Sequence, residues 1–485
     1  MRGRMAVASA IAAGLTIVAS ATGLAGSARL VQISSDPFTN TTSIHRTEEE
    51  PDSFSFGATI VSAFQVGRFR NGGASDIGWA TSTDGGQTYS HGFLPGLTFQ
   101  VDSSSPYERV SDASVAYDAA HHTWLISSIP LLPNTVVPTV FVNRSTDGGL
   151  TWGKPISIVP VGSGDYDKNW TACDNTPTSP FYGHCYTEFD NFGAGDLELM
   201  STSTDGGQTW GPAKATPDTA HGLGGQPLVQ PNGTVIVPFE EIGPNSISAF
   251  HSDNGGASWS TVTRISKPFF HGVNGNLRTS PLPTAEIDGL GRVYVAWEDC
   301  RFEHACKAND IVFSSSDTGT AWSPVTRVPI DPVDSGADHF IPGLGVDQST
   351  SAATGGAHLG LGYYFYPDAA CTVSTCQLEA GFISSGDGGA TWSSDQQLAG
   401  PMSLSWLPLT TQGYMVGDYI STSFVGGLAF PVIASASAPS ASGLLTEAMF
   451  APARGLAVGG GSKAGSGAGA NASGSSTGTI ATQAR

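Results

Sequence analysis

Short runs of alternating apolar and polar residues recur along most of the chain, for example at 77–80, 139–142 and 310–313. A period of two sends successive side chains to opposite faces of a pleated strand, so each run predicts a half-buried β-strand. Each is followed by one phrase, S-x-D-x-G-x-x-aromatic, and then by another short strand pattern. The phrase stands at 82–89, 145–152, 203–210, 252–259, 315–322 and 385–392, with Asn254 in place of the acid in the fourth copy. Asp accepts hydrogen bonds from backbone N–H groups two residues on, Gly adopts positive φ without a steric penalty, and the aromatic packs on the sheet. The phrase therefore predicts a hairpin turn.

Around the fifth copy a whole unit can be read. Residues 283–287, 292–298 and 310–314 form three strands before the turn, and 323–328 a fourth after it. The six copies resemble the Asp-box repeat of bacterial sialidases and of other Asp-box β-propellers. The resemblance covers residues from about 50 to 395. It implies an all-β β-propeller of four-stranded blades, with the box between the third and fourth strands and far from the active centre. Asp84, Asp147, Asp205, Asp317 and Asp387 are accordingly expected to be structural.

Box spacings of 63, 58, 49, 63 and 70 residues fit a chain of about 426 folded residues if there are seven blades. Six is the alternative and is the number in sialidases. Residues 419–424, 428–434 and 445–450 supply three strands beyond the last box, and 30–34 is expected to complete them by pairing the two chain ends.

Composition supports this class. The 485 residues include 62 Gly and 30 Pro with only 13% charged residues, too many turn formers and too few charges for a helical bundle. Arg2 and Arg4 precede an Ala-rich apolar run, which predicts a signal peptide over 1–28 and a secreted, extracellular protein with no membrane span after cleavage. The folded domain is expected over 29–454 and a Gly/Ala/Ser-rich disordered tail over 455–485. Six cysteines fall as near neighbours, predicting disulfides 173–185, 300–306 and 371–376. A formal charge of −20 argues against nucleic acid as a partner. The expected partner is a glycan or polysaccharide substrate, and the expected state a monomer. No Gly-rich phosphate loop, H-E-x-x-H or G-x-S-x-G is present, so no cofactor and no metal are expected.

With boxes on one face, the loops from second to third strands and from blade to blade share the other. Those loops hold acids, Arg and aromatics suited to carbohydrate. The resemblance implies a carboxylate-binding set of three Arg, a Tyr nucleophile polarised by Glu, and an Asp acid/base. Positionally these become Arg68, Arg278 and Arg301, with Arg109 in reserve, Trp170 for stacking, Tyr414 with Glu240 or Glu298, and Asp112. The Arg-Ile-Pro tripeptide of sialidases is absent from the mature sequence. A sialidase-like exo-glycosidase acting on a terminal, possibly acidic sugar is the leading expectation. A two-acid hydrolase, a polysaccharide lyase built on His271 and Arg278, and a non-catalytic glycan- or protein-binding propeller are the alternatives.

Overall fold

The computed structural model describes residues 28–460. The expected signal peptide, and the tail from 461 onward, lie outside the described residues. What is described is all-β, built from successive antiparallel meanders with five single-turn 3-10 segments. Among the described residues no helix is long and apolar enough to cross a membrane.

The first meander comprises Glu48–Phe56, Thr59–Arg68, Ala74–Ser82 and Ser90–Phe93. The second comprises Arg109–Asp118, Thr123–Leu131, Phe141–Ser145 and Ile156–Ser157, and a single pair, Ala74 with Val110, joins the two into one sheet. Asp167–Cys173, Cys185–Asn191 and Leu197–Ser203 form the third. In the fourth, Gly222–Leu223 and Leu228–Val229 share the edge of Val235–Glu241, which continues to Ser246–Ser252 and Thr263–Ser266. The fifth runs Thr284–Ile287, Val293–Asp299, Asp310–Ser316, Thr326–Arg327, and the sixth Asp338–Val346, Leu359–Tyr366, Gln377–Ser385, Gln396–Ser403. The last joins Ser421–Val425, Leu428–Ser437 and Thr446–Pro452 to the N-terminal strand Leu30–Gln32, with Val31 opposite Ala451.

Second strands such as Thr59–Arg68 and Val293–Asp299 are buried along nearly their whole length. Both faces of such a strand meet a neighbouring sheet, which is why they read as continuous rather than alternating apolar runs. The sheet does not stop at 454: Leu456–Ala457 pairs with Leu428 and Ala429, and Gly459 N–H donates to Ser384 Oγ at 2.9 Å. The low-complexity composition thus begins inside the last sheet. All three expected disulfides are formed.

The box turns carry the chemistry their residues predict. Ser82 Oγ donates to Asp84 Oδ1 at 2.8 Å and accepts from Gly86 N–H, while Asp84 also accepts from the N–H of Gln87 and Thr88 and from the Thr88 hydroxyl. Asp147, Asp205 and Asp387 are held in the same way by Thr151, Thr209 and Thr391. The fifth copy departs. Ser316 and Thr318 cap its turn, and Asp317 turns outward to form a two-point ion pair with Arg292 at 2.7 and 2.8 Å.

Each turn also touches the preceding sheet. Gly149 sits at φ 81°, and a Cβ there would lie 2.7 Å from Val61 Cγ2 of the first meander, whose Thr81 hydroxyl donates to the Gly149 carbonyl at 2.7 Å. Its neighbour Gly148 has φ 86° and nothing within 4 Å. Gly148→Ala therefore meets only the left-handed backbone cost, about 1–2 kcal/mol. Gly149→Ala adds overpacking and is expected to cost roughly 3 kcal/mol or more. Denaturant midpoints of the two variants check this, and equal losses would refute docking through Gly149.

Many acids lie inside the fold. Burial pushes the carboxyls of Glu48 and Glu286 up to about 8 and those of Asp52 and Glu198 up to about 7. In the unfolded chain such groups ionise near 4. Between those values the native state binds more protons, so their contribution is complete below about pH 4 and is lost as pH rises through 7 to 8. Asp84 and Asp147, held down to about 2 chiefly by their Thr partners, act oppositely and lose their contribution only below about pH 4. Melting at constant ionic strength is therefore expected at a higher temperature at pH 5 than at pH 8. A higher value at pH 8 would show that these acids are ionised in the fold.

Candidate functional site

The first strands of the meanders do not run straight. In Glu48–Phe56 two residues, Glu50 and Pro51, face one on the partner strand; Asp112 with Ala113 and Ile341 with Pro342 repeat the pattern, and Lys168 is an extra residue in Asp167–Cys173. These are β-bulges, and the bulged residues have positive φ: 54° at Glu50, 50° at Asp112, 27° at Lys168 and 51° at Ile341. A bulge re-aims a side chain, and left-handed backbone at a non-glycine residue is held only where the surroundings over-determine it. At Glu50, Asp112 and Lys168 the re-aimed side chains line a common cavity.

That cavity has a volume of about 280 Å³. Its charged lining is Glu50, Arg68, Arg70, Asp112, Asp165, Asp167, Lys168, Arg278 and Asp418, with Tyr166, Phe192, Leu223 and Leu282 as apolar walls. Arg278 forms a close ion pair with Asp418 through Nη2, and its N–H donates to the Tyr414 carbonyl at 2.8 Å. Arg68 is buried, lies 3.5 Å from Glu49 through Nε and donates from Nη1 to Gln65 at 2.7 Å. Lys168 Nζ stands 3.3 Å from Asp112 Oδ1 and 3.2 Å above the centre of the Tyr419 ring. Arg70 is exposed, and among the described residues its side chain has no hydrogen bond or ion pair.

Protonation is set by confinement. Asp167 is solvent-exposed at the cavity wall, and the many protein groups around the cavity together with the nearby Asp112 raise its carboxyl to about 6 against the opposing pull of Lys168 and Arg278. Glu50 is driven well above the carboxylate range by burial, with Asp112 and Asp418 adding to the effect. Burial and the same acids raise the Tyr419 phenol far above 10, and its hydroxyl is buried without a partner. That phenol is a poor nucleophile as it stands.

Of the residues expected from sequence, Arg68, Arg278 and Asp112 meet in the cavity. Arg109 stands behind it: its guanidinium lies 4.5 Å from the Phe69 ring and donates to Asn71 Oδ1 at 2.7 Å, fixing a loop that lines the wall. Trp170 lies deeper, edge-on to Tyr419, and lines a separate cavity of about 90 Å³ with Asp52 and Glu286. Tyr414 contributes its carbonyl to Arg278 rather than its ring to the cavity. Glu298 is fully buried and accepts the Ile341 N–H at 3.2 Å, so it braces a bulge; burial holds it well above the carboxylate range. Glu240 is half-buried outside the lining, and burial raises it too. Arg301 grips Asp299 at two points and the Lys267 carbonyl, tying one loop to the 300–306 disulfide loop. His271 lines a different cavity from Arg278, so the lyase pair is not brought together.

From sequence, Arg70, Asp167, Lys168 and Asp418 fall in the loops expected to form the functional mouth but carry no assigned role there, and Glu50 is not expected at the site at all. The one available signal for Glu50 was a run of three Glu before Pro51 inside a strand that is otherwise buried. Among the described residues, the grouping of acids and His close enough to hold a metal ion is Asp310, Asp331 and His339, none of which lines this cavity.

No family model matches the chain, and no curated protein does. Among solved structures, a Dyadobacter fermentans protein of unknown function is similar over 73% of this chain and 98% of its own, at 15% identity and a TM-score of 0.46. A Trypanosoma rangeli sialidase in complex with the inhibitor DANA is similar over 69% of this chain and 56% of its own, at 14% identity and a TM-score of 0.43. A leech intramolecular trans-sialidase complexed with 2,7-anhydro-Neu5Ac is similar over 85% and 68%, at 14% identity and a TM-score of 0.42. At such values the likeness establishes no correspondence between individual residues.

Proposed function

We propose that this chain is a secreted glycoside hydrolase that removes a terminal acidic sugar from glycans, working in the cavity at the bulged first strands. In this reading the meanders are seven blades of a ring, closed where Leu30–Gln32 pairs with Thr446–Pro452. The observation that carries the function is the joint lining: Arg68, Arg70 and Arg278 share one sugar-sized space with Asp112 and Asp167. Guanidinium groups bind a carboxylate through paired hydrogen bonds, and Arg70 has its donors uncommitted.

Asp167, protonated up to about pH 6, is the general acid for the leaving oxygen. Asp112, beside Lys168 at 3.3 Å, is the base or nucleophile. The pair follows the two-carboxylate route rather than a Tyr nucleophile, since the Tyr419 phenol is buried and Tyr414 is outside the lining.

A second reading, a propeller that recognises glycan without cleaving it, is favoured by one specific feature. Arg278 and Arg68 already have carboxylate partners, Asp418 and Glu49, within the protein.

Release of a fluorophore from sialic acid, glucuronic acid and galactose glycosides separates the two. The hydrolase reading expects turnover of an acidic glycoside whose rate falls as pH rises through about 6, the value set at Asp167. Asp167→Asn should lower kcat by about 10²–10⁴-fold and remove that alkaline limb. Arg70→Ala should lower kcat/KM by roughly 10–100-fold for acidic sugars alone. No turnover of any member, with saturable glycan binding, would replace catalysis by recognition.

A further inference from the structure

Away from the cavity, three side chains from three successive segments converge. Asp310 opens the third strand of the fifth meander, Asp331 lies in the linker to the sixth, and His339 is the second residue of Asp338–Val346. A carboxylate oxygen from each Asp and a ring nitrogen of His339 all lie within 4.8 Å of one another. Arg327 is already present: its Nε donates to Asp310 Oδ1 at 2.6 Å, and the same guanidinium pairs with Asp331 Oδ1 and donates to the Asp331 carbonyl. One guanidinium thus serves both carboxylates.

Two buried polar atoms of the cluster remain unpaired. Asp310 is 2% exposed, and its Oδ2 has no hydrogen-bond partner. His339 is likewise 2% exposed, and its Nδ1 has none. The ring is not free to turn away, because it stacks on Phe365 with centroids 5.7 Å apart and meets Tyr363 edge-on at 5.6 Å. Buried polar atoms are ordinarily paired, and these two, within a cluster whose ligand atoms all lie within 4.8 Å of one another, suit a shared cation. A separate cavity of about 350 Å³, lined by Asp331, Ser335, His339 and Asp395, adjoins them and has room for coordinated water.

We propose that Asp310, Asp331 and His339 form a binding site for one divalent transition-metal ion of the Zn²⁺ class, which pins the 328–337 linker to the two meanders it joins. One imidazole nitrogen with two carboxylate oxygens suits Zn²⁺ at about 2.0–2.2 Å, with water completing the tetrahedron. Ca²⁺ requires six to eight oxygens, and Mg²⁺ a near-ideal octahedron, so both are expected to bind far more weakly. Arg327 then serves as an outer partner that orients the ligating carboxylates. No linear spacing announces such a site, because its ligands are 21 and 8 residues apart, on two strands and the linker between them.

The test is calorimetric titration of tag-free, chelator-treated protein with Zn²⁺, Mn²⁺, Ca²⁺ and Mg²⁺. Expected is saturable uptake of one equivalent of Zn²⁺, with Ca²⁺ and Mg²⁺ at least about 10-fold weaker. His339→Phe keeps the stacking and removes the nitrogen, and it should abolish uptake. Asp331→Asn, at the half-exposed ligand, should weaken it by at least about 10-fold and is the deciding variant if His339→Phe does not fold. Absence of one-equivalent uptake by wild-type protein, or unchanged affinity in folded Asp331→Asn, overturns the site.

Discussion

The contact on which this architecture depends is the one between the glycine at the fifth position of each box and the sheet before it. A Cβ at Gly86 would fall 2.2 Å from Phe430 Cε1, at Gly207 2.9 Å from Leu125, at Gly319 2.9 Å from Ile236 and at Gly389 2.5 Å from Phe313. In each case the neighbour belongs to the preceding meander, and for Gly86 it belongs to the last one. A turn shaped by Ser and Asp therefore presents bare backbone to an apolar side chain next door. The trailing aromatic extends the same contact: Trp259 meets Tyr186 edge-on at 6.5 Å, and Trp392 meets Phe313 at 5.9 Å. Repetition of the phrase thus reflects docking between sheets as much as the hairpin itself.

Docking at the box end leaves the opposite ends of the first strands free to serve other purposes. There the bulges at Glu50, Asp112 and Lys168 break the ladder and turn charged side chains inward, with backbone in the left-handed region. Their strain is held by bonds from neighbouring sheets. Asp418 N–H donates to Glu50 Oε1 at 3.4 Å, and the buried Glu298 secures the equivalent bulge at Ile341. Ser53, one turn of the pleat further on, shares hydroxyl hydrogen bonds with Ser421 and Ser423 of the last meander. The cavity is consequently a product of several meanders packed together.

This division explains what could be read from sequence. The box is local chemistry within eight residues, so the turns, the flanking strands, the disulfide pairs and the pairing of the chain ends were legible. The face carrying the charged lining was legible too, through Arg68, Asp112 and Arg278. A bulge has no residue signature, however. The inward turn of Glu50 and Lys168 depends on a register shift that only the partner strand reveals. Glu298 and Glu240 ended apolar strands in the expected place, yet a side chain at a strand end can brace the backbone as readily as face a ligand, and Glu298 braces Ile341. In the fifth box the acid at the pattern position serves Arg292, while Ser316 and Thr318 take over the turn. A motif match located that turn without identifying which atoms hold it.

Charge balance links the cavity to its chemistry. Arg278 and Asp418 neutralise one another, Lys168 faces Asp112, and Arg68 faces Glu49, so the interior is ordered by ion pairs before any ligand enters. Such pairs are rigid, because separating buried partners costs several kcal/mol. On the proposed reading an entering anion would be met by Arg70, whose donors are uncommitted, with Arg278 assisting only if Asp418 gives up part of its contact. A carboxylate is suited to that exchange, since it replaces one acid by another on the same guanidinium and leaves the net charge of the cluster close to its starting value. On the proposed hydrolase reading, a proton on Asp167 would limit the repulsion such a ligand feels, and would make substrate binding and acid catalysis depend on one titration.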